Sequence, residues 1–168
     1  MPAQLITGGA RSGKSAHAEA LALESGLPTV YLATAQPGDA EMQQRIARHR
    51  SRRPAAWRTV ECGAQLALAL RREGRTGHCV IVDCLTLWLA SLAPENIAAE
   101  RDQLVRAIQA APARVLIVTN ELGWGVVPLG ESTRAFVDEH GITNQRVAAV
   151  CERVTLMVCG VPLVLKAG

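Results

Sequence analysis

The stretch Gln4-Leu5-Ile6-Thr7-Gly8-Gly9-Ala10-Arg11-Ser12-Gly13-Lys14-Ser15 decides the fold. Its first four residues are a short, largely apolar run that reads as a strand. Gly8, Gly13, Lys14 and Ser15 match G-x-x-x-x-G-K-[ST], and the Ala-rich segment that follows reads as a helix over Lys14–Glu24. Strand, glycine-rich turn and helix in that order form a phosphate loop, in which backbone N–H groups converge on phosphate oxygens ahead of the positive end of a helix dipole. Lys14 supplies charge at the β/γ end of a triphosphate, and the Ser15 hydroxyl is placed to meet Mg2+, a cation that takes oxygen ligands. Only Lys14 and Lys166 are lysines among the 18 basic residues, so a lysine at this position is not a product of composition.

Outward from the loop, short apolar runs alternate with amphipathic ones, the pattern of βα units wound on a mostly parallel sheet. The expected strands are Gln4–Thr7, Thr29–Ala33, Arg58–Val60, Val80–Val82, Val115–Thr119, Thr155–Val158 and Leu163–Leu165, the last two forming a hairpin. The expected helices are Lys14–Glu24, Ala40–Arg50, Ala64–Arg72, Leu85–Leu92, Ala98–Ala110 and Thr133–Glu152, the last divided at Gly141. No repeat or linker interrupts them, so residues 1–168 are expected to form one domain, a three-layer α/β sandwich.

Composition bounds the function. Hydrophobic residues make up 49% and charged residues 20%, ordinary values for a globular chain and too apolar for a disordered one. The run Ser25–Gly38 is uncharged, yet it is broken by Gly26, Pro28 and Pro37 and is shorter than the roughly 20 apolar residues of a membrane helix. With no secretory signal pattern at the N-terminus, the expected compartment is the cytoplasm. Cys62, Cys79, Cys84, Cys151 and Cys159 form no CxxC pair and read as reduced core residues; with no HExxH either, zinc is not expected. An aromatic content of 3% argues against stacking on nucleic acid. The net charge of +3 is unevenly spread: six arginines lie from Arg45 to Arg58, and no acidic residue lies between Glu41 and Glu61. That segment is either a local field suited to a triphosphate or a solvated helix face.

Asp83 ends the apolar run Val80-Ile81-Val82, beyond which ligands of such sheets bind. It resembles a Walker B aspartate, although a carboxylate there also serves to cap the next helix. His49 follows Met42 and Ile46 at helical spacing on the apolar stripe of the second helix. It is either a core or cap histidine or a nucleophile, since neutral imidazole attacks phosphorus to give a phosphoramidate. Glu61 ends a strand, as a surface carboxylate or as an acceptor for a ribose or base. His17 reads as a packing or surface residue of the first helix, and His78 and His140 as loop or helix-end residues.

These residues, in this order, resemble the bifunctional adenosylcobinamide kinase / adenosylcobinamide-phosphate guanylyltransferase family of cobalamin biosynthesis. The resemblance runs through Thr7–Ser15, Tyr31–Ala35, Asp39–His49, Arg52–Glu61, Val82–Trp88, Thr119–Pro128 and Asn144–Gln145, the histidine helix and the T-N-E-L-G-W-G loop being the specific parts. It implies a RecA-like parallel sheet with a terminal antiparallel strand, a homo-oligomer, adenosylcobinamide, GTP and ATP as substrates, and Mg2+. It also implies His49 as the guanylylated residue. Nucleotide contacts are implied at Gly8, Gly9, Ala10, Arg11, Ser12, Gly13, Lys14 and Ser15, at Ala33, Thr34 and Ala35, at Arg50, Ser51, Arg52 and Arg53, and at Glu61 and Asp83. The catalytic residues are then His49 and Lys14, and the metal residues Ser15 and Asp83. The family pattern R-x-F-R-D-x-x-G-R-x-N-Q is read here from Arg134 to Gln145 with Val137 in place of its first internal arginine. The loop Leu122–Pro128 suits a bulky corrinoid, a neighbouring subunit or core packing of Trp124. A small-metabolite kinase with a dispensable His49 is the nearest rival. A regulatory GTPase is a distant one, since no N-K-x-D motif is present.

Overall fold

Strands and helices alternate along the chain as β1 (Ala3–Gly8), α1 (Lys14–Glu24), β2 (Thr29–Ala33), α2 (Ala40–Ser51), β3 (Arg58–Glu61), α3 (Leu66–Glu73), β4 (Cys79–Asp83), α4 (Leu85–Ala90), a 3-10 turn (Pro94–Asn96), α5 (Ile97–Ala110), β5 (Arg114–Val118), α6 (Glu131–Val150), β6 (Arg153–Val158) and β7 (Val161–Lys166). The computed structural model describes residues 3–35, 38, 40–51 and 53–168, with the backbone alone at 41, 42, 45, 46, 48 and 49.

One seven-stranded sheet runs in the order β3-β2-β4-β5-β1-β6-β7. Every pair is parallel except β6 with β7, which form the expected antiparallel hairpin. Strand alternation sends side chains to two different cores. Leu5, Val30, Leu32, Val80, Val82, Val115 and Ile117 meet α3, α4, α5 and α6 on one face. Ile6, Tyr31, Ile81, Leu116 and Val118 meet Ala18 and Ala22 of α1 on the other. The small side chains of α1 let it lie close on the sheet beneath the loop that precedes it. Trp88 is fully buried and donates its indole N–H to the Ala64 carbonyl at 3.2 Å.

Three sequence expectations need correction. α6 runs unbroken through Gly141. A glycine in a helix costs about 1 kcal/mol, and the helix offsets this by burying His140, Thr143, Asn144 and Val147 on one face. His140 is therefore an interior helical residue and not a loop or helix-end one. Cys159 is exposed, at the turn between β6 and β7, whereas Cys79, Cys84 and Cys151 are buried as expected. No helix among the described residues is long and apolar enough to cross a membrane.

Candidate functional site

The registers set one transverse row across the sheet: Ile6 of β1 lies beside Val118 of β5, Val118 beside Asp83 of β4, Asp83 beside Ala33 of β2, and Ala33 beside Glu61 of β3. The phosphate loop rises from the β1 end of that row. Gly8 has φ of 145° and Gly13 of 98°, conformations that side chains disfavour. At Gly8 a Cβ would also lie 2.5 Å from the Met157 carbonyl oxygen and 2.8 Å from Ser12 Oγ. The loop is closed from behind by the β6–β7 turn, where the Gly160 N–H donates to the Ser12 carbonyl at 3.1 Å. Gly8→Ala is accordingly expected to destabilise the fold by about 3 kcal/mol, lowering Tm by about 10 °C in a melting experiment.

Within the loop, Lys14 Nζ donates to the Gly9 carbonyl at 2.5 Å and to Ser12 Oγ at 3.5 Å. The buried lysine is thus folded back over the loop. Ser15, one residue into α1, is half-buried at the same rim.

Asp83 accepts a hydrogen bond on Oδ2 from the Tyr31 hydroxyl. Burial, then the neighbouring Asp83 charge, pushes the Tyr31 phenol well above its ordinary pKa, so it stays protonated as a donor. The Arg53 guanidinium lies 3.5 Å from the centre of the Tyr31 ring, and its Nη1 donates to Thr59 Oγ1 at 3.1 Å. Arg53 follows closely on α2, so this stack fastens the C-terminal end of that helix to the Asp83 end of the row. Thr34 Oγ1 donates to the Cys84 carbonyl and accepts the Cys84 N–H, each at 2.8 Å, locking the end of β2 to the start of α4.

Gly8 to Ser15, Ala33, Thr34, Ala35 and Asp83 are thus gathered along one edge. Glu61 closes the far end of the row, where it is exposed and 3.8 Å from Arg50 Nη1, a surface pair of small energetic worth. Ser51 ends α2. The side chain of His49 and the whole of Arg52 lie outside the described residues; the backbone of His49 is in α2, four residues before Arg53.

A second layer of polar residues joins positions quoted in the sequence only as separate motifs. Asn120 Nδ2 donates to Thr86 Oγ1 at 2.8 Å, and Thr86 Oγ1 lies 2.9 Å from His140 Nε2. Thr119 donates to Asn144 Oδ1 at 2.8 Å, and Asn144 Nδ2 returns to the Asn120 carbonyl at 2.9 Å. The T-N-E and N-Q motifs flagged these positions without showing that they join. His140 is only 2% exposed. Burial lowers its pKa from 6.5 to about 4, so the ring is neutral.

Above pH 6.5 the folded and unfolded states are both neutral at His140. Between 6.5 and about 4 only the unfolded state takes up the proton, so stability falls as pH falls through that window. Going from pH 7 to pH 5 should cost about 2 kcal/mol in urea denaturation, a loss absent from His140→Gln.

The apolar loop beyond this layer is not core. Trp124 is 71% exposed, Val126 95% and Leu129 98%.

The sequence matches the family model described as "Cobinamide kinase / cobinamide phosphate guanyltransferase" over residues 4–165. The chain belongs to that family. The bifunctional adenosylcobalamin biosynthesis protein CobP of Pseudomonas aeruginosa is 54% identical over 166 residues, covering 96% of each chain. CobU of Salmonella typhimurium is 38% identical, covering 96% of this chain and 98% of that protein. Among solved structures, a Pyrococcus horikoshii protein superposes with TM-score 0.59 at 10% identity, covering 99% of this chain and 86% of its own. The RadB recombinase superposes with TM-score 0.53 at 16% identity, covering 92% of this chain and 73% of its own. Those two likenesses speak for the fold alone, and they agree with the P-loop, RecA-like sheet expected from the family.

Proposed function

We propose that this chain carries out both reactions of its family at the edge occupied by the phosphate loop, Asp83 and the end of α2. In the first, the aminopropanol hydroxyl of adenosylcobinamide attacks the γ-phosphorus of ATP or GTP, and the nucleoside diphosphate leaves. In the second, the imidazole of His49 attacks the α-phosphorus of GTP and pyrophosphate departs. An oxygen of adenosylcobinamide phosphate then displaces the histidine, giving adenosylcobinamide-GDP.

The observation that carries this reading is the stack of Arg53 on Tyr31, which itself donates to Asp83. A four-residue span reaches at most about 14 Å. His49, four residues from Arg53, is therefore kept near the same edge as Lys14, and one nucleotide site serves both steps. Lys14, the loop N–H groups and Arg53 stabilise charge developing on phosphate oxygens. Arg11, Arg50, Ser51 and Arg52, with Ala33, Thr34, Ala35 and Glu61, complete the nucleotide contacts.

Ser15 and Asp83 offer hard oxygen donors that fit Mg2+. Among the described residues no three His, Cys, Asp or Glu side chains gather as a metal cage, and a magnesium ion that draws most ligands from phosphates and water needs none. When bound, Mg2+ neutralises charge on the transferring phosphates.

The protein is further proposed to act as a cytoplasmic homo-oligomer. Val161, Leu163, Val164 and Leu165 of β7 are all exposed on an edge strand, a surface that a second copy would cover.

Two labels test the enzyme reading. γ-Labelled nucleotide should pass its phosphate to adenosylcobinamide. α-Labelled GTP should leave label on the denatured protein that is lost in acid, survives alkali, and is chased off by adenosylcobinamide phosphate. Active protein that never holds the α-label would remove the covalent half and leave a simple kinase.

A further inference from the structure

Neighbouring residues at the end of β1 project to opposite faces of the sheet. Ile6 packs with α1, and Leu5 with the helices of the other face. Thr7, two residues beyond Leu5, shares that other face. There its hydroxyl donates to Glu121 Oε1 at 2.6 Å, and the Glu121 N–H donates to the Gly8 carbonyl at 3.2 Å. A carboxylate from beyond β5 is thus pinned to the first residues of the phosphate loop. Asp83, two residues beyond Ile81, shares the α1 face with Ile81 and Tyr31, so Asp83 and Glu121 approach the sheet edge from opposite sides.

Phosphoryl transfer sets the entering and leaving oxygens roughly in line through phosphorus. With the loop, Lys14 and α1 holding the nucleotide on one side, the acceptor enters from the other, where Glu121 stands. The exposed apolar loop that carries Trp124, Val126, Val127 and Leu129 begins one residue later, on the side from which a large organic acceptor would come. Asn120, immediately before Glu121, is fixed through its carbonyl by Asn144 and through its amide by Thr86. The carboxylate is therefore held by the fold and does not sample a loose loop.

From this geometry we infer that Glu121 is the general base of the kinase step, with Thr7 as its positioning residue. The inference rests on the kinase reading given above. The acceptor O–H proton passes to the Glu121 carboxylate as the new O–P bond forms. The bond from the γ-phosphorus to the β,γ-bridging oxygen breaks, its electron pair leaves with the nucleoside diphosphate, and Glu121 then releases the proton to solvent. Attack of neutral His49 on the α-phosphorus transfers no proton from the nucleophile and does not need this carboxylate.

The two half-reactions supply the control. In Glu121→Gln the turnover of γ-phosphate transfer to adenosylcobinamide should fall about 10²–10³-fold. The nucleotide KM and the capture of α-label on the protein should stay within about twofold of wild type, as for an interaction made only in the transition state. Formate should partly restore the kinase activity of Glu121→Ala. Kinase turnover within about threefold of wild type in Glu121→Gln would overturn the assignment. So would an equal fall in label capture, which would reduce Glu121 to a brace for the loop, or a lack of any formate response. Wild-type protein lacking both transfers would instead overturn the enzyme reading itself.

Discussion

His49→Ala is expected to lose retention of α-labelled GMP entirely, by at least about 10³-fold against wild type, because no other group replaces a covalent nucleophile. The same variant should still move the γ-phosphate to adenosylcobinamide within a few-fold of wild type. In the proposed mechanism that step uses the loop and not the imidazole. Denaturing gels with α- and γ-labelled nucleotide read both outcomes from one preparation. A variant that keeps its acid-labile label would place the covalent bond on another residue. Equal loss of both activities would mean that the histidine supports the nucleotide and does not react with it.

Lys14→Ala should depress both reactions, the kinase by about 10²–10³-fold, comparable with deleting one preorganised donor from a charged transition state. The loss should fall mainly on kcat/KM in steady-state assays. In the absence of nucleotide the Lys14 ammonium is satisfied by the Gly9 carbonyl and Ser12 Oγ. Its removal takes these internal hydrogen bonds as well as the proposed phosphate contact, so thermal melts should accompany the kinetics. Activity near wild type with unchanged melting would show that the loop binds nucleotide through its backbone alone.

The strand, turn and helix around Gly8–Ser15 were legible because every requirement there is local: two glycines, a lysine and a hydroxyl, flanked by segments of opposite periodicity. All seven strands were legible too, the buried ones for a related reason, since each of those is a short, largely apolar run. The transverse row was not, because nothing in a single strand states which residue of its neighbour lies beside it. Arg53 on Tyr31 and Tyr31 on Asp83 escaped notice too, their partners lying 22 and 52 residues apart. His140 was misplaced because the glycine after it reads locally as a break. Its burial comes from contacts with Thr86 and Thr119, 54 and 21 residues away. The apolar loop after Glu121 left three uses open, and the exposure of Trp124 removes core packing.

The brace behind the phosphate loop has a consequence for the order of assembly. Gly8 lies under the Met157 carbonyl, and the Ser12 carbonyl is met by the Gly160 N–H, so a segment made early in synthesis is completed by one made nearly 150 residues later. Such distant partners close slowly. The nascent chain therefore displays the whole G-x-x-x-x-G-K-S signature long before the residues that brace it have been made.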